Sequence, residues 1–356
     1  MSGSINFKKL IYKDWIAFLF FSTVAYLLYA NTLNAPFYFD DIHQVIKNAS
    51  VYDLKRASQS LFSPRGLANF TFALNYHFFG MSLPAFHLVN ISLHALTTVI
   101  VFLILKRVFP ESRRACYVGA IIFLAHPLQT QTVNYIVQRM AGMSGFLLFL
   151  SLYLFIRAKE EYIERGFNTG KHLFFYLLCL ISALFAVLTK QNTATIPLLF
   201  LLFESVFLKS RKGESFIRKV VYVLPTLIAP VWLGYKMVVA PMLSGNSIVA
   251  IANFEDLSVK ADSIALVEST PLNYFVTELS VFWIYIKLLI FPFNQALDYG
   301  YPIVDKFLTF KNIIAGLGLF CLLSVSAIFR RKLPALFFFV YWFYIALLVE
   351  STFIPL

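Results

Sequence analysis

Apolar runs close to bilayer length recur along the whole of this 356-residue chain, and no other feature narrows its possible folds as much. A helix needs about 20 apolar residues to cross the hydrocarbon core, where every backbone N–H and C=O must be satisfied within the protein. Nine runs meet or approach that length, over residues 14–33, 86–108, 116–132, 141–157, 172–189, 193–208, 220–240, 310–329 and 333–350. The expected fold is all-α: one polytopic transmembrane helical domain over residues 1–356, with about nine spans. Only 13% of the chain is charged. The net charge of +12 comes from residues spread over short loops and makes no continuous basic face, so no nucleic-acid partner is expected.

Sidedness follows from where the cations fall. Lys8, Lys9 and Lys13, then Lys106, Arg107, Arg113 and Arg114, then Arg157, Lys159, Arg165 and Lys171, then Lys209, Arg211, Lys212, Arg218 and Lys219, then Arg330, Arg331 and Lys332 alternate with the runs. Basic loops stay in the cytoplasm, which puts the N-terminus inside. The first run has no small-residue cleavage site and reads as a retained span. Two large loops then lie outside, over 34–85 and 241–309. Residues 276–293 are apolar but carry Glu278 and Lys287 and end near Pro292. They are expected to form an interfacial or re-entrant helix in the second loop.

The chemistry-bearing residues cluster on the outer side. Asp40 and Asp41 follow the first run by a few residues, and acids at a membrane edge are costly without a role. One can cap a helix, take a proton from an attacking hydroxyl, or hold a divalent cation such as Mg2+ or Mn2+ on a phosphate. The residues alone do not choose among these. His87, Asn90 and His94 share one helix face; they either fasten helices together or serve a site. The turn after the third run contains His126, and Arg139 opens the next run from outside, where a guanidinium suits a phosphate. Lys190 and Gln191 sit in another short outer turn, and Arg65 lies in the first loop. There is no Gly-rich phosphate loop, nucleophile elbow or HExxH sequence.

In order along the chain, FDDIHQVIKN, LNYHFFG, FHLVNISLH, HPLQTQTVNYIVQR, TKQNTATIPLLFLLFE and ESTFIPL resemble the membrane half of the transmembrane and tetratricopeptide-repeat protein O-mannosyltransferases. They are most like their bacterial relatives, within the GT-C superfamily. The resemblance implies a GT-C-like membrane enzyme, a hexosyltransferase that takes a sugar from a polyprenyl-phosphate donor at the outer leaflet. Asp40 or Asp41 would activate the Ser/Thr hydroxyl of a protein acceptor. Arg139 and Lys190 would sit near the donor phosphate, with His126, His87, Arg65 and Gln191 as further substrate-binding candidates. The site would face the periplasm or exterior of a bacterial inner membrane, or the lumen of the endoplasmic reticulum in a eukaryote.

Three departures qualify that match, the first being that the proline-bearing arginine motif of the first loop stands here as Pro64-Arg65-Gly66, with the order changed. Gln131 and Gln191 stand where relatives carry acids, and relatives continue beyond ESTFIPL whereas this chain ends at Leu356. The departures leave room for a partner subunit supplying the C-terminal region, for a lipid or glycan acceptor, or for a non-catalytic scaffold of the same fold.

Overall fold

The computed structural model describes residues 7–167, 169–208, 215–235, 271–297, 299–302 and 309–351. Most of the expected second outer loop therefore lies outside the described residues. The described residues are helical, without strands. The α-helices are α1 (Phe7–Tyr29), α2 (Ala49–Tyr52), α3 (Leu54–Gln59), α4 (Gly66–Phe79), α5 (Leu83–Val108), α6 (Arg113–Ala125), α7 (Gln129–Asn134), α8 (Arg139–Arg165), α9 (Gly170–Thr189), α10 (Ile196–Phe207), α11 (Phe216–Val223), α12 (Ile228–Gly234), α13 (Pro271–Ile290), α14 (Phe310–Ile328) and α15 (Pro334–Leu347). They divide into two compact units, one up to Lys190 and one from Gln191.

The first unit carries the outer loop of interest. On α1, Ala17, Phe21, Ala25 and Tyr29 recur every fourth residue and are buried, while Trp15, Leu19 and Leu27 are exposed. That is the stripe of a helix with one protein face and one lipid face. The stripe packs on Ile91, Ala95 and Phe102 of α5 and on Cys116, Ala120 and Leu124 of α6. Small residues on all three helices let the backbones approach closely. Polar ties fix the directions. At one end Tyr29 Oη donates to Leu124 O, 3.2 Å. At the other, Lys106 pairs with Asp14 and Arg107 with Glu160. The basic end of the helices is thus opposite the end that carries residues 30–82, as the loop charges predict.

Among the described residues, seven helices are long and apolar enough to cross a membrane, over 14–32, 83–108, 136–165, 170–189, 216–234, 272–290 and 310–328. The protein is a multi-pass, all-α membrane protein. Two details differ from the sequence reading. First, the expected spans at 116–132, 193–208 and 333–350 contain α-helices of only 13, 12 and 14 residues. The first breaks where Pro127 forces His126 into an extended conformation (ψ 127°), as the residue before a proline must be. Second, the segment expected to be interfacial or re-entrant belongs to one continuous 20-residue helix, α13, of spanning length. Of its two charges, Glu278 is buried beside Tyr274 and Ser351 with its Oε2 lacking a hydrogen-bond partner among the described residues, and Lys287 is exposed in the last turn, where it can reach headgroups.

The second unit has its own packing. Trp283 Nε1 of α13 donates to Ala315 O of α14, 3.1 Å. Its ring lies over Gly318, where an added Cβ would meet it at 2.7 Å. Phe338 of α15 packs on Phe203 and Phe207 of α10.

Candidate active site

The loop after α1 is pulled back onto α5. A short 3-10 turn over Ala30–Thr32 ends the first helix, and Ala35 O then lies 3.0 Å from His87 Nε2. Phe37 packs edge-on against Phe86, and Tyr38 stacks on Tyr135 with centroids 4.8 Å apart. Phe39 follows with φ +52°. A bulky residue in the left-handed region costs about 1–3 kcal/mol and persists only where its surroundings fix it. Here they do, because Asp41 N donates to Tyr38 O and Ile42 N to Phe39 O, both at 3.1 Å.

This turn sends the two acids in opposite directions. Asp41 is fully buried. Its Oδ1 accepts from Val137 N at 2.7 Å and its Oδ2 from Tyr38 N at 3.3 Å. Asp40 is exposed; its backbone N donates to Tyr135 Oη at 2.7 Å, which leaves the carboxylate at the surface. Tyr135, not among the residues expected to matter, is thus the post on which the pair is mounted. Burial pushes its hydroxyl pKa up, so it stays a neutral hydrogen-bonding group.

Burial also raises the Asp41 carboxyl from 3.8 to about 6, against the opposing pull of its backbone hydrogen bonds. A folded-state pKa above the unfolded one favours the neutral form in the fold. The stabilising contribution is therefore present below about pH 4 and is lost as pH rises through about 6. Amide protection at residues 38–42 and 137 is expected to weaken across that window in the wild type. In Asp41→Asn the weakening should be absent, as hydrogen exchange at several pH values would report.

Arg139 is drawn into the interior. Its side chain has no exposed surface. Nε donates to Asn90 Oδ1 at 2.8 Å, one terminal nitrogen to Thr71 O at 3.3 Å and the other to Phe86 O at 3.0 Å. The guanidinium also lies over the rings of Phe72 and Phe86, 4.5 and 5.4 Å from their centroids. It is an internal clamp joining α4, α5 and α8, and among the described residues no carboxylate pairs with it. With Asn90, His94, Gln129 and Thr132 it borders a cavity of about 170 Å³.

The polar face of α5 is likewise spent on fastening. His87 holds Ala35 O, His94 Nε2 lies 3.0 Å from Leu124 O, and Asn90 Nδ2 donates to Val133 O and Ile136 O. Buried polar groups inside a span need such partners. His126 Nδ1 accepts from Leu128 N and shapes the turn before α7. His87 is thus buried with its Nε2 engaged, whereas His126 is half-buried. Arg65 and Lys190 are brought together instead. Arg65, also left-handed at φ +62°, donates its backbone N to Leu188 O at 2.7 Å, two residues before Lys190. Gly66 lets the chain turn back on the end of α3, since a Cβ there would fall 1.9 Å from Ser60 O. Both cations are half-buried. Gln191 begins the 3-10 turn that opens the second unit.

Fold and site together define a polytopic all-α membrane protein with a divided acidic pair at the end of its N-terminal unit opposite the basic loops. The resemblance read from the motifs is borne out by relatives over about half the chain. Protein O-mannosyl-transferase Tmtc1 of Drosophila melanogaster is 30% identical over 205 residues, 53% of this chain and 23% of the relative. Human protein O-mannosyl-transferase TMTC1 is 27% identical over 206 residues, again 53% of this chain and 23% of its own. Drosophila Protein O-mannosyl-transferase Tmtc2 is 28% identical over 246 residues, 64% of this chain and 26% of its own. The match thus spans about a quarter of each relative. No family model matches the chain, and no solved structure matches it.

Proposed function

We propose that this protein is a glycosyltransferase that moves a hexose from a polyprenyl-phosphate donor to a Ser/Thr hydroxyl of a protein on the outer membrane face, with Asp40 as the base. The observation that carries this reading is the split of the acidic pair: one carboxylate locked inside by backbone amides, its neighbour exposed on a rigid turn. An exposed carboxylate at the outer face can meet a soluble hydroxyl. As the hydroxyl oxygen attacks the anomeric carbon its proton passes to Asp40, and the bond from that carbon to the phosphate oxygen breaks. The leaving phosphate needs positive charge, which Arg65 and Lys190 supply. Arg139, His87, Asn90 and Tyr135 act at one remove, by holding the loop and the turn in place. The outer face is the periplasm or exterior in a bacterium and the lumen of the endoplasmic reticulum in a eukaryote.

Among the described residues no three His, Cys, Asp or Glu side chains group as metal ligands. Asp41 has both oxygens engaged, so Asp40 is the acid of the pair that fits a cation. Mg2+ or Mn2+ there would take its other positions from phosphate oxygens and water, and would help neutralise the leaving group. A chelator titrated into the assay reads that dependence.

The phosphate assignment has its own test. Arg65→Ala and Lys190→Ala are each expected to raise the donor KM by about 10–100-fold, the loss of one charge-assisted hydrogen bond. An unchanged donor KM in both variants would remove these cations from the site.

A further inference from the structure

Three consecutive aromatics precede Asp40, and they are used differently. Phe37 packs on Phe86 and Tyr38 on Tyr135. Phe39 is 63% exposed, and among the described residues no ring packs on it. It also adopts the left-handed backbone at φ +52°. Glycine or asparagine takes that conformation more easily. A strained, exposed phenylalanine is thus unfavourable on backbone grounds. Strain of this kind clusters where a ligand is met. The turn that strains Phe39 also aims it: hydrogen bonds from Asp41 N and Ile42 N, and from Asp40 N to Tyr135, hold it from both sides.

We propose that Phe39 is a sugar-binding platform, its open ring face receiving the C–H face of the pyranose whose hydroxyl edge lies toward Asp40. An aromatic face is electron-rich and attracts the weakly positive hydrogens of such a ring face. A pyranose pairs an apolar face with a hydroxylated edge, and here an unpacked aromatic and an exposed carboxylate are adjacent residues. A lipid chain fits less well, because seating it would bring Asp40 out of water. The proposal rests on the glycosyltransferase reading above for the identity of the sugar carrier.

The test uses the full chain in nanodiscs with polyprenyl-phosphate mannose. Phe39→Ala is expected to raise the donor KM about tenfold or more, with kcat and the acceptor KM close to wild type; Phe39→Trp should restore the donor KM. Phe39→Gly relieves the backbone strain, so it should match or exceed wild-type thermal stability while showing the same donor defect, which separates binding from folding. The tryptophan of Phe39→Trp should shift in emission on adding the mannosyl donor and not on adding polyprenyl phosphate without sugar. Unchanged donor KM in Phe39→Ala overturns the platform, and so does tryptophan quenching by brominated lipids without a donor response. If Asp40→Asn abolishes turnover but Phe39→Ala does not affect it, the platform alone fails. If the wild type turns over no donor, the enzyme reading fails, while the tryptophan response still decides sugar binding.

Discussion

Asp40→Asn will lower transfer by about 10²–10⁴-fold, the usual worth of a positioned general base, and will leave the protein assembled. The variant keeps the backbone N that donates to Tyr135 Oη, its side chain is exposed, and an amide can still hydrogen-bond the Tyr135 hydroxyl that the Asp40 side chain meets, so the loop stays docked. Asp41→Asn will do the opposite. That carboxylate is fully buried and accepts from two backbone amides. An amide side chain can serve only one of them, since its NH2 would face the other N–H. Leaving a buried donor without an acceptor costs about 1–3 kcal/mol. The expected result is a lower unfolding temperature and a loosened loop, with residual turnover by the molecules that remain folded. Thermal unfolding and mass-spectrometric product measurement on the two variants together check the assignment. If Asp41→Asn is the stable, inactive one, the roles of the acids are reversed.

Arg139→Ala will cost more stability than any other single change considered. The guanidinium satisfies Asn90 Oδ1, Thr71 O and Phe86 O from one side chain, and it fills the space between the rings of Phe72 and Phe86. Its removal strands the buried Asn90 Oδ1 at about 1–3 kcal/mol and leaves a cavity between the two rings that costs about 2–5 kcal/mol more, whereas Thr71 O and Phe86 O keep their bonds within α4 and α5. Even with partial relaxation the loss should exceed about 3 kcal/mol. Arg139→Lys is not a rescue, because a single ammonium cannot reach three acceptors set around a planar fork. Both variants should show low yield and a depressed unfolding temperature. A direct phosphate ligand would instead give a well-folded protein with a raised donor KM, and that outcome would return Arg139 to the binding site.

The helical, membrane-spanning character was legible because it is written locally. The fourfold spacing of Ala17, Phe21, Ala25 and Tyr29 carries the face of α1, and the lysines and arginines carry the direction of the helices. The acidic pair was legible as a pair. Its division was not, because it depends on a left-handed turn at Phe39 that the identity of a phenylalanine argues against. The internal hydrogen bonds of Arg139 were not legible for a related reason. Its acceptors on Asn90, Phe86 and Thr71 lie 49, 53 and 68 residues away in sequence, so an arginine facing carbonyls reads the same as one facing a phosphate. The continuity of the helix over 271–290 was not legible because Glu278 and Lys287 count as charges in a run, whereas in the fold one turns inward and the other sits at the helix end.

The central claim is that this chain transfers a sugar and uses Asp40 to do so. The most direct measurement is mass spectrometry of a Ser/Thr acceptor peptide after incubation with polyprenyl-phosphate mannose and the purified chain, wild type beside Asp40→Asn. The account predicts a peptide heavier by one hexose with the wild type and an unmodified peptide with Asp40→Asn. An unmodified peptide with both, or equal modification by both, would contradict it.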